Sequence, residues 1–205
     1  THLIGRADKF EVWNEWNGSP GQSVGDYFEL LKATYTAVKG ANPNATVVGG
    51  VAVGYDPTFL KALIDLGAAD YLDAISFHPY PGTNPEKTNY LGYFTDLQSY
   101  IQSKGITKDI ELWVTETGWS NHEPGGASEM RTAGFGIQLY TMLVENRGLI
   151  DKLVWYDFLN DGTDPSDREF NFGLLSQKAG GVAKPAYVAF NAAAQRFAGA
   201  AHVQS

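Results

Sequence analysis

The chain has 205 residues, enough for one domain with a sizeable core, and its 43% hydrophobic and 19% charged content is that of an ordinary soluble globular protein. A net charge of −8 without a Lys/Arg stripe speaks against nucleic acid or an anionic membrane as partner, and no apolar run approaches the roughly 18 residues of a membrane span. There is no cysteine, which excludes disulfides, a thiolate nucleophile and Cys-based metal sites and fits a secreted as well as a cytoplasmic location.

In chain order the pattern alternates strand and helix. Residues 9–17 (KFEVWNEWN) read as a strand, and 23–40 carry apolar positions at helical spacing, with Ser23 as N-cap and Gly40 at the C-cap. ATVVGGVAVG, 45–54, is a continuous run of β-branched residues and Gly, as in a buried parallel strand. A helix over 57–67 begins with Pro57 in its first turn. DAISFHPYP, 73–81, is a strand stopped by two prolines, and 89–104 is the next helix. DIELWVTETGWS, 109–120, is the fourth strand, 127–147 a long helix ended by Gly148, and DKLVWYDFL, 151–159, the fifth strand. A loop, NDGTDPSDREFN, and a short GLL segment lead to a last amphipathic helix over 185–199, opened by Pro185.

Five βα units of this kind predict an α/β fold with a parallel sheet and right-handed crossovers, in one domain spanning 1–205. No G-x-G-x-x-G follows the first strand and there is no Walker motif, so dinucleotide and P-loop readings lose their support. In parallel α/β folds function sits at the C-terminal strand ends. Those ends here carry Asn14-Glu15, Gly50, His78-Pro79-Tyr80, Thr115-Glu116 and Trp155-Tyr156-Asp157.

Two strand-end carboxylates, Glu15 and Glu116, form the chemical core of the pattern. Alternation along the fourth strand places Leu112, Val114 and Glu116 on the inward face and Glu111 and Trp113 toward the helices. On the first strand it groups Glu11, Trp13 and Glu15, which would put Glu11 inside; a β-bulge near Asn14 would relieve this. Two carboxylates facing a cavity lined by Trp, Tyr and His suit glycoside hydrolysis, in which a neutral acid protonates the leaving oxygen while an ionised partner attacks or activates water. The aromatic content of 13% supplies faces of the kind sugars pack against.

WNE at one strand end, HPY at the end of the strand two units later and TETGWS one unit after that resemble the retaining glycoside hydrolases of clan A, most closely glycoside hydrolase family 39 and similar xylosidase-like or cellulase-like barrels. The tail, NFGLL followed by KPAYVAF, fits the same group. The resemblance implies that Glu15 is the general acid/base and Glu116 the nucleophile, with Asn14 bonding the sugar 2-hydroxyl. His78 and Tyr80 would line the subsite, Tyr80 bonding the nucleophile. Trp155 would be the stacking floor, and Trp119 another stacking face. It implies a carbohydrate substrate and neither metal nor organic cofactor. Many relatives carry Pro after the acid/base where this chain has Trp16, and some have a non-proline cis peptide after the last-strand Trp, here Trp155–Tyr156.

In that family the two acids come from barrel strands four and seven. The resemblance therefore implies an incomplete TIM-type (β/α) barrel, with five parallel strands and outer helices corresponding to strands four to eight, and THLIGR as the tail of the preceding helix. Open edges at FEVWN and KLVWY predict self-association. The rival readings are a truncated, inactive or carbohydrate-binding fragment and an inverting hydrolase. Trp13 and Trp113 read as packing residues, and Asp161, Asp164 and Asp167 as a solvated loop, since their spacing is not that of an EF-hand.

Overall fold

A computed structural model describes residues 5–177 and 181–197. The start of THLIGR and the end of the last predicted helix lie outside the described residues; Gly5 and Arg6 form a turn.

Five strands, β1 (Lys9–Glu11), β2 (Thr46–Val53), β3 (Ala74–His78), β4 (Glu111–Thr117) and β5 (Lys152–Trp155), form one sheet in the order β1-β2-β3-β4-β5. Pairing is parallel, and helices α1 (Val24–Ala41), α2 (Pro57–Asp65), α3 (Tyr90–Ser103), α4 (Glu129–Glu145) and α5 (Pro185–Phe197) follow the strands in turn. Sequential order without reversal is that of a (β/α) barrel; a doubly wound sheet would switch direction in mid-sheet. With five strands the barrel is incomplete, as the sequence predicts. A two-stranded antiparallel hairpin, β6 (Leu175–Ser176) and β7 (Val182–Ala183), was not predicted.

Helix starts follow their capping residues. Ser23 accepts from the backbone N–H of Asp26, Asp56 from those of Thr58 and Phe59, and Ser128 from that of Arg131. The first helix ends at Asn42 rather than at Gly40.

The described residues group into two compact units. The first comprises residues up to Pro79 together with Leu91–Thr115 and Leu149–Lys152. Its core is Tyr27 and Leu31 of α1, Leu60 and Leu63 of α2, and Phe94 and Leu97 of α3, all buried, against the β2–β3 strands. A Cβ on Gly49 would meet Leu31 and Leu72, so the row Gly49, Ile75, Leu112 faces the helices. Phe77 packs on Phe94 and pairs in register with Val114. The predicted faces of the fourth strand are therefore reversed in this unit. Leu112 and Val114 point to the helices, while Trp113 clusters with Val48 and Ala74 on the other face. There Glu111 accepts from Trp113 Nε1 at 2.6 Å and from Lys152 Nζ at 2.7 Å. A parallel strand is apolar on both faces, so its apolar residues do not mark which side is which.

The second unit holds Tyr80–Tyr90, Glu116–Gly148 and the chain from Leu153 onward. Helices α4 and α5 pack closely: a Cβ on Gly136 would lie 2.7 Å from Phe190. Buried Lys184, just before α5, donates to Asn160 Oδ1 (2.8 Å), Asn121 Oδ1 (3.2 Å) and the Asn171 carbonyl (3.3 Å), tying three loops to the helix start. Burial pushes its pKa down. In the loop at 160–171, Asp164 accepts from Ser166 and Asp167 from Glu169 and Phe170, so these acids cap turns.

Candidate active site

Glu15 belongs to the first unit. The first strand is only three residues long, because the backbone leaves it after Val12: Trp13 has φ 67° and Glu15 φ 51°. The bulge that the sequence reading sought near Asn14 lies instead in the neighbouring strand, between Gly50 and Ala52, where buried Val51 takes φ 43°. Val51 offers its carbonyl to the Glu15 N–H at 2.9 Å. Left-handed non-glycine residues cost on the order of 1–2 kcal/mol each and persist where the surroundings over-determine them. Glu11 stays on the face away from the helices, exposed, and accepts from Ser76 Oγ at 2.7 Å.

The Glu15 carboxylate is held by His78, which ends β3 and is 1% exposed. His78 Nδ1 lies 2.9 Å from Glu15 Oε1, and Nε2 lies 3.2 Å from Thr115 Oγ1. An ionised carboxylate here accepts from Nδ1–H, whereas a protonated one donates to a bare Nδ1, so the ring can serve either form of Glu15. Thr115 is a site neighbour the sequence reading missed; its position beside the TETGW glutamate was the available signal. Asn14 is exposed at the bend between Trp13 and Glu15.

Glu116 belongs to the second unit. Tyr80 Oη donates to Glu116 Oε2 at 2.8 Å, the contact the resemblance implies. Tyr80 is set by an edge-to-face cluster with Phe172 (5.5 Å) and Tyr156 (6.2 Å), which themselves meet at 5.5 Å. Neither partner was foreseen. Burial, then the charges of Asp161 and Glu116, pushes the Tyr156 phenol up to about 12, so it stays protonated. The glycine of TETGW has a steric reason: a Cβ on Gly118 would collide with the Tyr156 carbonyl.

Trp155 ends β5 and packs between Trp119 (5.6 Å) and Phe190 (5.0 Å). Its Nε1 is buried and finds no acceptor among the described residues. Trp119 is 3% exposed, donates to the Thr83 carbonyl at 2.9 Å and packs on Phe135 as well as Trp155, so its ring is part of the core. Beside it a pocket of about 150 Å³ is lined by Tyr80, His122, Arg168 and Phe172. The non-proline cis peptide is Tyr156–Asp157, one bond beyond the position the resemblance suggests.

Solved structures carry the same architecture. A GH39 β-xylosidase from Caulobacter crescentus superposes with a TM-score of 0.66 at 23% identity, over 93% of this chain and 44% of that one. The GH39 enzyme from Xanthomonas axonopodis pv. citri gives 0.65 at 21%, over 89% and 39%. An α-L-arabinofuranosidase from Thermotoga maritima, in its arabinose complex, gives 0.65 at 18%, over 88% and 38%. The chain has the fold of these glycoside hydrolases. It spans less than half the length of each, and at such identities the likeness is one of fold. No protein-family model and no curated protein matches the sequence.

Proposed function

We propose that this chain, as the five C-terminal βα units of a glycosidase barrel, carries the two catalytic carboxylates of a retaining hydrolase of β-linked glycosides. Glu116 attacks the anomeric carbon as the glycosidic C–O bond breaks, and Glu15, as acid, gives its proton to the departing oxygen. Glu15 then takes a proton from water, which displaces Glu116 from the glycosyl ester and releases the sugar. Asn14 bonds the 2-hydroxyl, and Trp155 is the sugar platform, backed by Trp119. The observation that carries this reading is that each carboxylate has its own side-chain partner from the end of β3: His78 for Glu15 and Tyr80 for Glu116.

The test is turnover of aryl β-glycosides by the chain and by Glu116→Ala. Hydrolysis by the first and none by the second supports the reading. Sugar binding without turnover by either favours a carbohydrate-binding fragment. The sheet order ends in β1 and β5, with Val154 of β5 half exposed. We expect a second copy to cover these strands. A clean monomer in light scattering at micromolar concentration would count against that.

A further inference from the structure

Trp13, which the sequence reading assigned to packing, is 57% exposed. Its left-handed backbone is not repaid by burial of its ring, as that of Val51 is with 1% exposure. The ring is nonetheless fixed from behind. Trp16 meets it edge-on at 5.6 Å and 76°. Trp16 in turn donates through Nε1 to the Ser23 carbonyl at 2.9 Å and lies 5.7 Å from the ring of Tyr27. Tyr27 is wholly buried and donates to the Val12 carbonyl at 2.9 Å. A chain of contacts thus runs from the core to one indole that presents most of its surface to water, two residues before Glu15.

We propose that Trp13 is a stacking platform for the leaving group, the reducing-side sugar ring or an aromatic aglycone. This rests on the reading of Glu15 as the acid. An acid that protonates the departing oxygen has the leaving group beside it, and the exposed indole stands two residues before Glu15, both residues on left-handed backbone. The surface is broad, flat and rigid, and an aromatic platform offers such area at little cost in conformational entropy. The ligand it fits is neutral and ring-shaped, with one apolar face.

Binding tests this without requiring turnover. The probes are the methyl and p-nitrophenyl β-D-glucosides and β-D-xylosides, titrated into the Glu116→Ala chain with and without a substitution at Trp13, by ligand-observed NMR. Trp13→Ala should weaken the p-nitrophenyl glycosides about tenfold, the upper end of what a pair of aromatic rings contributes. The methyl glycosides should change less than twofold, and Trp13→Phe should keep most of the affinity. Unchanged p-nitrophenyl affinity in Trp13→Ala overturns the proposal. So does equal weakening of both series, or an absence of binding by all four probes at millimolar concentration. A fall in the molar mass seen by light scattering, with glycoside affinity unchanged, makes the ring a contact between copies and overturns it too. If the tenfold difference holds while the chain with Glu116 intact hydrolyses nothing, Trp13 binds the aromatic ring as part of a carbohydrate-binding fragment, and its part as a leaving-group platform falls together with the reading of Glu15 as the acid.

Discussion

Glu15 lies beyond the end of a three-residue strand, on left-handed backbone, whereas Glu116 sits within a seven-residue strand between Thr115 and Thr117. The strand ladder holds the backbone of Glu116, and Tyr80 needs only to orient the carboxylate. Glu15 has no ladder of its own; the Val51 carbonyl and the buried His78 ring supply the constraint from neighbouring strands. A carboxylate mounted in this second way depends on the chemistry of its neighbours more than on its own strand.

The largest expected effect is at Glu116. Under the proposed reaction Glu116→Ala removes the atom that forms the covalent intermediate, and kcat/KM for aryl β-glycosides should fall on the order of 10⁴-fold for every leaving group. Glu15→Ala should cost less and unevenly. Proton transfer is worth about 10²–10⁴-fold, so the loss should be large for a poor leaving group such as an alkyl alcohol and small for a dinitrophenol, which departs as the anion unaided. Equal losses across leaving groups would break the assignment of different roles to the two acids.

The supports should separate in the same way. His78→Ala opens a buried hole and strips Glu15 and Thr115 of a partner, and should destabilise the chain by about 2–4 kcal/mol in denaturant titrations while also lowering activity. Tyr80→Phe removes one hydroxyl and leaves its aromatic cluster in place. It should lower kcat/KM about tenfold with little change in the denaturation midpoint. Comparable stability losses in the two variants would show that Glu15 is no more dependent on its neighbours than Glu116.

How much of this was legible follows from the same contrast. Ser23 and Pro57 announced their helices, and TETGW and HPY stood at strand ends because residue type and spacing are local signals. The early end of β1 was not legible. Trp13 and Glu15 are not residues that advertise positive φ, and the bulge that receives Glu15 belongs to a strand more than thirty residues away. The faces of β4 were misread because Leu112, Trp113 and Val114 are all buried, so alternation of polarity was absent where it was needed. The exposure of Trp13 and the burial of Trp119 depend on what packs around each ring, and identical residue types gave no way to tell them apart.

The smallest expected effect sets two other carboxylates, one from each unit, against each other. Burial alone would raise the pKa of Asp73, but Lys39 Nζ at 2.7 Å and the Val47 N–H at 2.8 Å outweigh it, with Lys108 adding its charge, and hold it below the usual 3.8. Asp157 has its pKa raised, chiefly by burial and further by Asp161, against the Leu159 N–H that donates to it at 2.8 Å. The two signs oppose. A lowered carboxylate contributes stability that is present above 3.8 and is lost as pH falls through its folded value; a raised one carries a penalty at neutral pH that is relieved as pH falls through its folded value, above 3.8. At pH 7 Asp73→Asn should therefore lower Tm, and Asp157→Asn, which keeps an acceptor for Leu159, should raise it by about 1–2 °C. On acidification the gain at Asp157 should vanish first, while the loss at Asp73 persists until the pH passes below 3.8. Melting curves of both variants against the unmodified chain from pH 7 to pH 3 read this directly. A gain at Asp157 that is the same at every pH would mean that the buried charge is not its cause.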